Sequence, residues 1–131
     1  MFAIKNNEGF TLIEFMVAVV ILMVGLLGLL QTVNMAISTN KVNQLRNEAV
    51  IAADQEITRQ LQTGYDQIVT PPAGTKVVSV VSRPILNGFK NYSVFRSGTD
   101  FSNSKQVIIQ VTWNYKNVTY THDASAIISK K

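Results

Sequence analysis

An α+β fold, with one long N-terminal α-helix laid on a small antiparallel β-sheet, follows from three features of the sequence. Residues 10–30, FTLIEFMVAVVILMVGLLGLL, form an apolar run of 21 residues. Residues 29–63 contain neither glycine nor proline and carry apolar side chains at helical spacing. Beyond Pro71-Pro72, β-branched and aromatic residues recur in short, partly alternating runs separated by turn residues.

The first element is a short polar leader, residues 1–9, MFAIKNNEG, with one lysine and one glutamate. The apolar run follows. At 1.5 Å per residue it reaches roughly 30 Å, the thickness of a bilayer core. The apolar stretch of a secretory signal peptide is shorter, about 7–15 residues, and ends in a small-residue cleavage site. No such site follows here, so residues 10–30 read as a retained membrane helix. Lys5 on the N-terminal side favours a cytoplasmic N-terminus, because positive charges tend to stay inside.

The helix continues past the membrane. Val42, Leu45, Ala49, Ala53, Ile57 and Leu61 fall at spacings of three and four, a stripe on one face. Gly64 supplies a C-terminal cap and Pro71-Pro72 bars continuation. One helix from about residue 10 to about residue 63 is expected, roughly 80 Å long. Its first half is apolar all round. Its second half, 31–63, is amphipathic and needs a cover for its stripe.

Residues 64–131 supply that cover as a globular β-domain. Val77–Val81 reads as a strand. Asn87-Gly88 is a turn signal between Arg83–Leu86 and Phe89–Phe95. Ser97–Asp100 and Ser102–Ser104 read as a polar loop. In residues 106–115, Val107, Ile109, Val111, Trp113 and Tyr115 share one face; Gln110, Thr112 and Asn114 share the other, with Ile108 as the exception. Lys116-Asn117 is a tight turn into Val118–Ile128. A sheet with one apolar face laid on the amphipathic half-helix buries both surfaces.

Composition narrows the function. The chain has 131 residues, enough for one modest globular unit. Its net charge is +4 with the basic residues scattered, so no stripe reads as a nucleic-acid footprint. It has no cysteine, which removes disulfides, thiolate metal sites and thiol nucleophiles. His122 is the only histidine and stands next to Asp123. No third ligand or base has suitable spacing, so it reads as a surface or hairpin residue. Asp100 matches no calcium-loop pattern. No cofactor, metal or catalytic constellation is expected.

One residue departs from the pattern. Glu14 is the only charge in the apolar run, where Thr11 is the only other polar side chain. A carboxylate at the centre of a membrane helix costs roughly 2.5–3.5 kcal/mol on insertion scales, and less near the interface. Its retention there points to a cationic partner.

The stretch Gly9-Phe10-Thr11-Leu12-Ile13-Glu14, heading a long apolar helix, resembles the signature of the type IV pilin superfamily. The resemblance covers Gly9 to Glu14 without a departure. It implies cleavage between Gly9 and Phe10 by a membrane-embedded prepilin peptidase, followed by N-methylation of Phe10. Glu14 then becomes the fifth residue and pairs with the terminal amine of a neighbouring subunit. The run Val24-Gly25-Leu26-Leu27-Gly28-Leu29 and the strand Val111-Thr112-Trp113-Asn114 are similar to those of PilV-type minor pilins, the type IV pilus modification proteins. The resemblance implies a non-enzymatic structural subunit that promotes assembly of a type IV pilus. The alternative on the same fold is a minor pseudopilin of a type II secretion system. Implied partners are other pilin subunits, the peptidase, an inner-membrane assembly platform and membrane lipid. The implied location is a single-pass inner-membrane protein with a periplasmic C-terminal domain, then the pilus. Gly25 and Gly28 are either a helix–helix contact or tolerated helix glycines.

Overall fold

The computed structural model describes residues 9–71, 77–86 and 88–130. Most of the leader, with Lys5 and Glu8, and also Pro72 and Asn87, lie outside the described residues. The chain divides into two compact units, one ending at Asn40 and one starting at Lys41. The elements are α1 (Leu12–Thr63), a single 3-10 turn (Tyr65–Gln67), β1 (Val77–Ile85), β2 (Gly88–Asp100), β3 (Ser104–Tyr115) and β4 (Val118–Ser129).

In the first unit, α1 begins at Leu12, two residues inside the apolar run. Every residue from Leu12 to Ile37 is exposed, including Leu22, Leu26, Leu30 and Val33. The helix is long and apolar enough to cross a membrane, and none of that apolar stretch is buried among the described residues. A Cβ added at Gly25 or Gly28 meets nothing within 4 Å, so packing inside the chain does not require either glycine.

In the second unit, the remainder of α1 lies on the sheet. The strands form an antiparallel meander in the order β1-β2-β3-β4. Leu45, Ala49 and Ala53 from the helix meet Tyr92, Val94, Val107, Ile109, Val111 and Trp113 from the sheet, with Ile68 closing one end. The three buried alanines, Ala49, Ala52 and Ala53, keep this helix face flat. The strand face needs bulk in return, and Tyr92 and Trp113 provide it. Their rings are tilted with centroids 5.8 Å apart, and Trp113 stacks on Tyr120 at 5.7 Å. β3 alternates as its sequence requires, with Val107, Ile109, Val111 and Trp113 buried.

The stripe on α1 differs from expectation at its end. Leu61 is 49% exposed, while Gln60 is 5% exposed. An α-helix turns about 100° per residue, so each four-residue step overshoots a full turn by about 40°. A run of such steps from Leu45 carries Leu61 off the face, and Gln60 takes its place.

The sheet corrects two boundaries. Arg83–Ile85 is not a separate strand: β1 runs unbroken from Val77 to Ile85, with Pro84 opposite Phe89. β1 is an edge strand, and there a residue without an N–H is tolerated. Ser97–Asp100 is not a loop: β2 continues through it, pairing Gly98 with Val107 and Asp100 with Lys105. The reason is tertiary. A Cβ at residue 98 would lie 2.6 Å from Thr70 Cγ2 and 2.7 Å from the Gln106 carbonyl oxygen. Gly98 therefore admits the 68–70 segment against the strand, and the Thr70 hydroxyl donates to Asp100 Oδ1 at 2.5 Å. Lys105 clamps the same segment, donating to the Ile68 carbonyl at 2.8 Å with its ammonium 5.0 Å from the Tyr65 ring centre.

The turns follow local chemistry. Lys116 and Asn117 both have positive φ, 49° and 62°, as a two-residue type I′ hairpin requires. Ile85 pairs with Gly88, which opens β2 at φ 145°. Gly64, at φ 85°, follows directly on the last residue of α1. A polar rim ties sheet to helix. The Arg83 guanidinium donates to Glu48 Oε2 at 3.0 Å and Gln55 Oε1 at 3.1 Å, and Lys41 donates to the Leu86 carbonyl at 2.8 Å.

Candidate functional site at the head of the apolar helix

Gly9, Phe10, Thr11 and Glu14 all belong to the first unit, and all are exposed, Phe10 at 94%. Thr11 is the residue from which α1 starts. Its carbonyl accepts the Phe15 N–H at 3.2 Å, the first i to i−4 bond of the helix. Its hydroxyl accepts the Glu14 N–H at 3.3 Å. Glu14 reaches back: Oε2 accepts the Thr11 N–H at 2.8 Å and the Thr11 hydroxyl at 3.0 Å.

This reciprocal arrangement is a capping box. It satisfies two backbone donors that no carbonyl of the helix can reach, and in hydrocarbon such donors find no water. A negative charge in the first turn also meets the positive end of the helix dipole. The spacing Thr-x-x-Glu carries the signal for this cap in the sequence. The cationic partner expected for Glu14 is thus preceded by a neutral one within the chain, Thr11. Both side-chain bonds end on Oε2, and Oε1 takes part in neither. The carboxylate thus has an internal anchor on one oxygen, and its second oxygen is not used by the cap.

Residues 4–30 match the family model described as the prokaryotic N-terminal methylation motif. This chain carries a prepilin-type N-terminal motif. The matched stretch takes in Gly9, Phe10, the Thr11–Glu14 capping box and the whole apolar run. The motif supports kinship with the type IV pilin superfamily, and it implies processing by a prepilin peptidase and assembly with other pilin-like subunits. With the uncovered apolar helix behind it, the motif suggests anchoring in a membrane ahead of that assembly. Residues 31–131 lie outside the matched stretch. No curated protein and no solved structure matches the chain.

The other singled-out residues belong to the second unit. His122 and Asp123 are neighbours on β4 and therefore on opposite faces, His122 half-buried opposite Val111 and Asp123 exposed opposite Gln110. Asp100 is engaged by Thr70.

Proposed function

We propose that the chain is a minor pilin-like structural subunit of a type IV filament. The leader is removed between Gly9 and Phe10, and Phe10 becomes the N-methylated first residue. Residues 10–30 are the membrane and filament-core segment, 31–63 its amphipathic extension and 64–131 the globular domain. The observation that carries the reading is the coincidence of the methylation motif with an apolar helix that is exposed throughout its described residues 12–37. Such a helix needs lipid before assembly and neighbouring helices after it.

Glu14 is given two tasks. Oε2 holds the helix cap, and Oε1 accepts the terminal amine of a neighbouring subunit, the amine that cleavage creates. In low dielectric the pair attracts far more strongly than in water, and breaking such a pair by removing one partner costs about 3–5 kcal/mol.

Two variants test this in a cell that makes the filament. Gly9→Val should leave the leader attached, and mature-length protein from that variant sinks the cleavage assignment. Glu14→Ala should be cut and methylated, read by the mass of the N-terminal peptide, yet be depleted from sheared filaments. Normal incorporation sinks the pairing. The pseudopilin alternative rests on the same motif; co-isolation with pilus subunits or with secretion components separates the two.

A further inference from the structure

β4 closes one side of the sheet and, among the described residues, no strand pairs with its other side. The direction of its backbone groups follows from the turn before it. Tyr115 pairs with Val118 across Lys116-Asn117, both at positive φ. Such a turn makes its closing residues a hydrogen-bonded pair, and along an antiparallel ladder these pairs alternate with non-bonded ones. The register with β3 runs without a slip from there to Ser104 opposite Ser129. Val118, Tyr120 and every second residue after them therefore turn their N–H and C=O groups toward β3. Thr119, Thr121, Asp123, Ser125, Ile127 and Ser129 point theirs outward, and all of these residues are exposed.

The two edges of the sheet are not alike. β1 carries Pro84, which has no N–H to offer and is a residue type that blunts an edge. Beside it the Arg83 side chain is held by Glu48 and Gln55. β4 carries no proline, glycine, lysine or arginine, and one acid, Asp123. A strand of 12 residues with an open row of donors and acceptors and no guard is a template for another strand.

The row is complementary to itself. Set antiparallel against a second copy, Thr119 meets Ser129, Thr121 meets Ile127 and Asp123 meets Ser125, each pair twice. In this register every outward residue has an outward partner, so both rows are satisfied from end to end. No like charges stand directly opposite, since each Asp123 faces a serine. The pairing also ends itself. A two-fold contact uses both open edges, and the joined sheet is bounded on each side by β1 with its Pro84. We propose that β4 is the docking edge for β4 of a second copy of this chain. The inference uses the second unit alone and does not rest on the reading of Gly9, Phe10 and Glu14.

The chain has no cysteine, so introduced ones report the register. Thr121→Cys and Ile127→Cys are purified separately as full chains in detergent micelles, mixed and oxidised. Opposite residues of a hydrogen-bonded pair have Cα atoms about 5.5 Å apart, within reach of a disulfide. In either variant alone the two cysteines lie about 20 Å apart along the strands. The mixture should form a disulfide-linked dimer, and neither variant alone should. Ser125→Pro, added to both, leaves the ladder to β3 intact because that N–H points outward. By symmetry it removes two intermolecular hydrogen bonds, so it should cut the cross-linked yield about tenfold with Trp113 fluorescence unchanged. An undiminished yield in that variant overturns the proposal. So do dimers from either cysteine variant alone at the yield of the mixture, a cross-link of Thr121→Cys to Ser82→Cys in place of Ile127→Cys, or no cross-link at all. Amide exchange at Thr121 and Ser125 reads any other occupant. Protection that appears only when a different filament subunit is added gives the edge to that subunit and overturns the second copy.

Discussion

The Tyr92 hydroxyl donates to the backbone carbonyl of Leu45 at 3.0 Å, joining the middle of β2 to α1 inside the core. Both residues are almost fully buried. Tyr92→Phe keeps the ring and removes this bond, at an expected cost of about 1 kcal/mol. Burial also pushes the Tyr92 phenol up to about 12, with the nearby Glu48 carboxylate adding to the effect. A raised acid pKa favours folding while the group is neutral in both states. That stability is whole below pH 10, the ordinary tyrosine value, and is lost as pH rises from there through about 12. Thermal unfolding of both proteins between pH 9 and 12 checks this. The stability gap should narrow at the alkaline end, and a constant gap refutes the burial argument.

Gly98→Ala should destabilise the second unit by about 1–3 kcal/mol, the usual range for overpacking. The new Cβ meets Thr70 Cγ2 and the Gln106 carbonyl oxygen together. Adding Thr70→Ser removes only the first of these contacts, so it should restore only part of the loss. Urea unfolding followed by Trp113 fluorescence measures all three proteins.

The helix face offers a paired comparison. Ala53 is wholly buried against the sheet, and Leu61 is about half exposed. Ala53→Leu should cost about 1–3 kcal/mol by forcing helix and sheet apart. Leu61→Ala should stay within about 0.5 kcal/mol, as surface substitutions do. The reverse ranking contradicts the placement of the face.

Thr11→Ala and Glu14→Gln separate the two tasks assigned to the carboxylate. Loss of the cap at Thr11 should cost about 1 kcal/mol and speed amide exchange over the first turn of α1 about fivefold. Glu14→Gln retains an oxygen for the cap but no charge for an amine. It should show the milder fraying and the larger loss of filament incorporation. If both variants fray and incorporate alike, the two oxygens do not have distinct tasks.

Much of this was legible in the sequence because it rests on local periodicity. The apolar run, the helical stripe, the alternation of β3 and the Lys116-Asn117 turn each follow from spacing and backbone preference. The Gly9–Glu14 signature was equally legible. What escaped is non-local. Gly98 reads as a loop residue until Thr70 is seen against it, and Pro84 breaks a strand only if that strand is central. Leu61 fails by accumulated rotation along the helix. The nearness of Arg59 on α1 and Arg96 on β2, both beside Glu56, joins elements far apart in sequence, and no motif announces it. The capping box is written in the Thr11-x-x-Glu14 spacing as well.

The meander has a kinetic consequence. Every strand pairs only with its neighbour in the chain. Each sheet contact therefore closes a short hairpin, with small loop entropy and fast zippering. Seating of Leu45, Ala49 and Ala53 on the sheet is different, since it joins residues far apart in sequence, as the Tyr92 bond to Leu45 does. Hairpins can thus form one after another as the chain becomes available, and docking onto the helix is the slow event that completes the unit. A chain held at its N-terminal end gains from that order, because its tethered helix is already present as a template when the last strand arrives.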